Sequence, residues 1–145
     1  MLGLIQRVSE ARVVVADQVI GEIDQGILLL LGIEKHDGKA EADKLLRKVL
    51  AYRIFPDEKG HMNLSLTDIQ GELLVVSQFT LAADTHKGLR PSFSSAAEPV
   101  AAEILYDYFL EAATSAHGAV AAGRFGADMK VGLVNDGPVT FLLNS

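Results

Sequence analysis

The chain contains no cysteine, which excludes disulfides, thiolate nucleophiles and thiolate metal sites together. Its four histidines, His36, His61, His86 and His117, stand at no spacing that lets two of them share a metal, so no metal is expected. Long apolar runs are missing as well. Residues 27–31 form the longest, far short of the roughly 20 residues that cross a bilayer. The opening residues MLGLIQR carry no basic segment ahead of an apolar one, so no secretory leader is expected. These lacks point to a soluble, cytoplasmic protein with no membrane partner. Positive charge is in deficit: 13 Lys and Arg face 19 Asp and Glu, a formal net charge of −6. A broad nucleic-acid binder carries a basic surface, so no DNA partner is expected, although a local cluster of cations still permits a grip on one end of an RNA. There is no Ser-His-Asp pattern, no nucleophile elbow and no glycine-rich phosphate loop after a strand. Any catalysis here works without the usual side-chain machinery, and no cofactor is expected.

What is present is the material of a core. Hydrophobic residues make up 49% of the 145 and charged residues 22%, and no repeat or linker divides them, so residues 1–145 read as one domain. Residues 5–16 and 19–23 are rich in β-branched side chains on either side of Asp17-Gln18, the pattern of a hairpin. Residues 26–33, GILLLLGI, predict a strand buried on both faces. The period then changes. Over residues 37–52, Leu45, Leu46, Val49 and Leu50 share one helical face, with Asp37 as the expected N-cap. Residues 55–60 read as a loop and 72–81 as a second buried strand. A polar loop over 83–95 leads to a second helix, with Val100, Ile104, Leu105, Tyr108, Phe109 and Ala112 on its apolar face. Ser95 to Glu98 fits a capping box and Pro99 fits a first helical residue, so that boundary stays open. Residues 119–143 alternate short apolar runs with glycine-containing turns. The expected fold is α/β: one domain of mixed sheet layers covered by two helices, a three-layer α/β/β arrangement.

Four segments are candidates for chemistry. Ser77-Gln78-Phe79-Thr80-Leu81 closes a buried strand, where the sheet holds side chains rigidly enough to line a site, or where they simply satisfy the strand's last backbone groups. Asn135-Asp136-Gly137-Pro138-Val139-Thr140 has the residues of a turn, and from these residues alone a plain hairpin with an ordinary trans proline is expected. Residues 84–93, DTHKGLRPSF, place Lys87 and Arg90 in a short loop, either a mobile surface segment or an anion grip. Gly123-Arg124-Phe125-Gly126-Ala127-Asp128-Met129 offers Phe125 and Met129 as core residues or as an apolar pocket wall.

In this order, and with Leu4-Ile5-Gln6-Arg7-Val8 ahead of them, these segments closely resemble the D-aminoacyl-tRNA deacylase family over essentially the whole chain. The resemblance implies a homodimeric hydrolase that cleaves the ester between a D-amino acid and the 3′ end of tRNA. It implies that Ser77, Gln78, Phe79 and Thr80 form the catalytic floor, and that Phe125 and Met129 flank the terminal adenosine. It further implies that the Gly137–Pro138 bond is cis, that this pair enters the partner subunit's pocket, and that Arg7 helps to hold it. A backbone wall that fills the space of an L side chain rejects L substrates yet cannot reject glycine, so glycyl-tRNA mischarged on tRNA(Ala) is an expected substrate. Backbone N–H groups near Phe79 and Thr80 are the expected oxyanion donors. No base stands beside Thr80 in the sequence, so the expected nucleophile is water, assisted by the substrate's 2′-hydroxyl. The alternatives are a related tRNA-editing deacylase with other selectivity and a non-catalytic nucleic-acid-binding dimer of the same fold.

Overall fold

The fold begins with a long ribbon. In the computed structural model, which describes residues 1–86 and 88–145, strand β1 (Leu2–Val15) turns into β2 (Gln18–Ile23) through Ala16 and Asp17. Both turn residues have positive φ, 48° and 60°, as a two-residue hairpin that matches strand twist requires. β3 (Gly26–Gly32) and α1 (Lys39–Ala51) follow, then the short β4 (Phe55–Pro56) and β5 (Met62–Leu64). β6 (Glu72–Ser77) ends in a 3-10 turn over Phe79–Ala82; α2 (Pro99–His117), β7 (Val120–Ala122) and β8 (Lys130–Asn144) complete the chain. Lys87, one of the two loop cations, lies outside the described residues.

The main sheet runs β2-β1-β3-β6-β7, with β8 paired to the other side of β1. β3, β6 and β7 are mutually parallel and the rest antiparallel. Alternation explains why β3 and β6 read as unbroken apolar runs. Ile27, Leu29, Leu31, Leu73 and Val75 face the helices, while Leu28, Leu74 and Val76 face a second cluster with Val8, Ala11, Val13 and Ile23. Each such fully buried aliphatic chain stabilises by about 1.5–3 kcal/mol. The sheet curls until β2 meets β7: a Cβ on Gly21 would lie 2.7 Å from the Ala122 carbonyl oxygen. Helices, central strands and the returning strands form the expected three layers.

Several expectations need correction. Asp37 does not cap α1. Its carboxylate takes the Met1 ammonium (2.6 Å) and the Glu34 N–H (2.7 Å), and the helix starts after Gly38, whose N–H donates to Glu41 Oε2 at 2.9 Å. Residues 55–60 are not simply a loop, because β4 and β5 pair across them. α2 starts at Pro99 with no side-chain cap and buries Ala102, Leu105, Tyr106, Phe109 and Ala113, leaving Val100 73% and Ile104 65% exposed. The buried stripe is rotated because Tyr106 can go innermost: its hydroxyl donates to the Val75 (3.0 Å) and Gly123 (3.2 Å) carbonyls. β8, finally, is one 15-residue strand and not a series of short ones.

Candidate active site

The carboxyl ends of the parallel strands β3, β6 and β7 come together at one edge of the molecule, where α/β sheets commonly open a ligand crevice. Ser77 closes β6, and the backbone turns at once into the 3-10 segment carrying Phe79 and Thr80. Gly32, at the end of β3, makes that corner possible. A Cβ there would stand 2.9 Å from Leu81 Cβ and 3.4 Å from the Gln78 carbonyl oxygen. Phe79 is 60% exposed, an unusual position for a large apolar side chain, and its ring lies 5.0 Å from that of Phe93. Gln78 Nε2 donates to Thr80 Oγ1 at 2.5 Å. Among the described residues no histidine or carboxylate is hydrogen-bonded to the Thr80 hydroxyl, and no backbone carbonyl accepts the N–H of Phe79 or Thr80. Two adjacent donors are therefore free of backbone acceptors among the described residues, beside an unactivated hydroxyl.

Phe125 and Met129 are brought to the same edge by β7. Gly123 N–H donates to the Val75 carbonyl at 2.8 Å, carrying the chain past the end of β6. A Cβ on Gly123 would meet Met129 Sδ at 2.7 Å, and Phe125 packs its ring 5.9 Å from that of Tyr106. Burial pushes the Tyr106 phenol well above its ordinary pKa, so it remains a neutral donor joining α2, β6 and the Phe125 loop.

Gly137, Pro138 and Arg7 are elsewhere. Asn135 pairs with Val8 and Thr140 with Gln6, so β8 spends five steps where β1 spends two. The turn is therefore no hairpin: the chain leaves the ladder, loops outward and rejoins the same partner strand. Pro138, without an N–H, stands at the excursion, and the Gly137–Pro138 bond is cis. Gly137 has φ 148°, and a Cβ on it would lie 2.7 Å from Val139 N, so only glycine fits. Asn135 closes the loop, accepting the Val139 N–H (2.9 Å) and donating to Thr140 Oγ1 (2.9 Å). Arg7, nearly buried, donates from Nε to the Asp136 carbonyl (2.8 Å) and from Nη1 to the Ile54 carbonyl (2.7 Å). Asn135 and Tyr106 were not singled out by sequence; only Asn135, as a side-chain acceptor in an Asn-Asp-Gly turn, left a signal there.

Two clefts open at opposite ends of the sheet. The larger, about 440 Å³, lies near the amino ends of β3 and β6 and is lined by Glu10, Glu22, Asp24 and Glu72 with Arg12. Four carboxylates make it hostile to an anionic ligand. The other, about 360 Å³, adjoins the 3-10 turn and is lined by Leu2, Glu34, Leu81, Ala82, Ala83, Asp84, His86, Ser94 and Ser95. Among the described residues no cluster of side chains suited to a metal ion occurs, and no helix is long and apolar enough to cross a membrane.

Comparison with known proteins finds relatives over the whole chain. A family model described as D-Tyr-tRNA(Tyr) deacylase matches residues 4–144. A D-aminoacyl-tRNA deacylase of Stutzerimonas stutzeri (strain A1501) is 66% identical over 145 residues, covering 100% of both chains. One from Cellvibrio japonicus (strain Ueda107) is 65% identical over 143 residues, covering 99% of this chain and 98% of its own. Among solved structures, the c-Myc DNA unwinding element binding protein superposes with a TM-score of 0.96 at 42% identity, over 100% of this chain and 99% of that one. A probable eukaryotic D-amino acid tRNA deacylase superposes with a TM-score of 0.88 at 16% identity over 99% and 98%, a likeness of fold alone.

Proposed function

The chain belongs to the D-Tyr-tRNA(Tyr) deacylase family, and from that membership we propose that it hydrolyses the ester of D-aminoacyl-tRNA and rejects L substrates with a wall lent by a second subunit. The observation that carries the reading is the register of the sheet. Arg7, beside the 136–139 excursion, is level with Ile27 and through it with Leu73. β6 ends at Ser77, four residues further along or about 13 Å at some 3.3 Å per residue, and Phe79 lies beyond that end. A turn so placed does not reach the floor of its own subunit, whereas a two-fold dimer presents it to the neighbour's.

In this reading Ser77, Gln78, Phe79 and Thr80 form the floor, and the N–H groups of Phe79 and Thr80 stabilise the oxyanion that forms as the ester carbonyl is attacked. Water is the nucleophile, assisted by the ribose 2′-hydroxyl, since among the described residues Thr80 has no partner able to take its proton. Phe125 and Met129 bracket the terminal adenosine. Gly137 and Pro138, held by Arg7, occupy the space that an L side chain needs. Glycine has no side chain to collide, so glycyl-tRNA is cleaved too.

The test is a panel of D-tyrosyl-, L-tyrosyl- and glycyl-tRNA(Ala). Release of the first and third with the second intact is the expected result; an intact glycyl-tRNA would remove steric exclusion as the basis of selection. A second reading, a nucleic-acid-binding dimer without turnover, is favoured by the likeness to the DNA unwinding element binding protein. Retention of duplex DNA with no hydrolysis of any aminoacyl-tRNA would select it.

A further inference from the structure

We propose that Arg90 and Arg124, carried by two segments anchored next to the Phe79 floor, form a phosphate clamp that grips the backbone of the tRNA 3′ end. This rests on the deacylase reading and adds to it the residues that hold the nucleic acid beyond its terminal adenosine. Arg124 directly follows Gly123, whose N–H is fixed to the Val75 carbonyl at 2.8 Å, so its backbone is pinned beside the end of β6. Arg90 belongs to an excursion closed at its base by a reciprocal backbone pair, Asp84 N–H to the Ser92 carbonyl (2.7 Å) and Ser92 N–H to the Asp84 carbonyl (3.0 Å). Immediately after that base, Phe93 stacks 5.0 Å from Phe79, and Ser95 Oγ donates to the Ala82 carbonyl. The carboxyl end of the excursion is thereby tied to the floor, and its amino end follows the 3-10 turn directly.

Both arginines are exposed, and neither forms an ion pair among the described residues. The nearby carboxylates have partners of their own. Asp84 accepts the His86 N–H at 2.9 Å, and Asp128 pairs with Lys130 at 2.9 Å. In a chain with a formal net charge of −6, two exposed guanidiniums, without an ion-pair partner among the described residues and carried by segments anchored next to the Phe79 turn, are notable cationic points. An adenosine held against Phe125 must send its 5′-phosphate out along this edge, and a guanidinium fork suits a phosphate's oxygens. The acidic cleft at the opposite end of the sheet offers such a strand no path.

The experiment compares D-tyrosyl-tRNA with the D-tyrosyl ester of adenosine, which has the same reacting bond and no phosphate. Arg90→Gln and Arg124→Gln should each raise KM for the tRNA about tenfold, as expected for loss of one charged hydrogen bond. kcat should be unchanged, and hydrolysis of the adenosine ester should equal that of the unaltered protein. The salt dependence of binding uncharged tRNA should become shallower by roughly 0.7 in log–log slope per arginine. Arg90→Lys should recover part of the lost affinity. Unchanged KM and salt slope in both glutamine variants would overturn the clamp, as would equal losses on tRNA and adenosine ester. If the unaltered protein cleaves neither ester, the deacylase reading fails, while the salt slopes on uncharged tRNA still decide the clamp.

Discussion

At the scale of single residues, the proposed selectivity depends on Arg7. Its guanidinium satisfies the Ile54 and Asp136 carbonyls at once, which ties the extruded turn to the body of the molecule. Arg7→Ala should cost about 1–3 kcal/mol in urea unfolding, because hydrogen bonds to a charged donor are lost. It should also raise L-tyrosyl-tRNA cleavage relative to D as the turn loosens. Arg7→Lys should restore little, since an ammonium cannot reproduce the planar fork. Thr80 and Phe79 make a sharper contrast. Thr80→Ala should keep substantial deacylation if water is the nucleophile; a trapped acyl-Thr80 ester or an inactive folded variant would reverse that assignment. Phe79→Pro deletes a backbone donor at a first helical position where proline is tolerated, so the fold should survive. Measured against Phe79→Ala, which removes the same ring, it should lose a further 10²–10³-fold, roughly, in kcat.

At the scale of elements, the central buried strands were legible in the sequence, while β4, β5 and the full length of β8 with its excursion were not. Runs such as Leu73 to Val76 announce a strand covered on both faces, and the hairpin of β1 and β2 follows from its two apolar runs. The path of β8 depends on which strand receives it after Pro138, a long-range pairing with β1 that turn-forming residues do not encode. Asp37 was misread for a similar reason: its partner, the Met1 ammonium, is 36 residues away. The site divides in the same way. Ser77 to Thr80 stand out as polar residues ending an apolar strand, whereas the grouping of Phe125 and Met129 with them arises from β7 pairing with β6. Tyr106 is the element-scale hinge of that grouping. Tyr106→Phe leaves the Gly123 carbonyl without this donor and should cost about 1–3 kcal/mol. Its raised phenol pKa also fixes a sign. The folded protein holds the neutral form, so stability is complete below the ordinary phenol value of 10.0 and declines as pH rises above it. Chemical denaturation followed from pH 8 to 11 should show that decline, flattened in Tyr106→Phe.

At the scale of the whole molecule, the separation of turn and floor along the sheet, about 13 Å to Ser77 alone, makes a subunit-mixing experiment decisive. On the proposed dimer, a Pro138→Ala protein should cleave L-tyrosyl-tRNA, because both walls are then missing. Added excess Phe79→Pro subunits carry intact turns and a disabled floor; after exchange they should suppress that L activity while D activity persists. If the turn served its own subunit, the mixture would keep cleaving L-tyrosyl-tRNA. The division of labour between β6 and β8 also makes the two kinds of damage unequal for a cell. In the proposed reading, a broken floor merely stops an editor, whereas a loosened β8 turn leaves an active enzyme that strips amino acids from correctly charged tRNA and starves the ribosome. Random variants expressed at high level in growing cells should therefore tolerate losses at Gln78 or Phe79 and be depleted of substitutions at Arg7, Gly137 and Pro138.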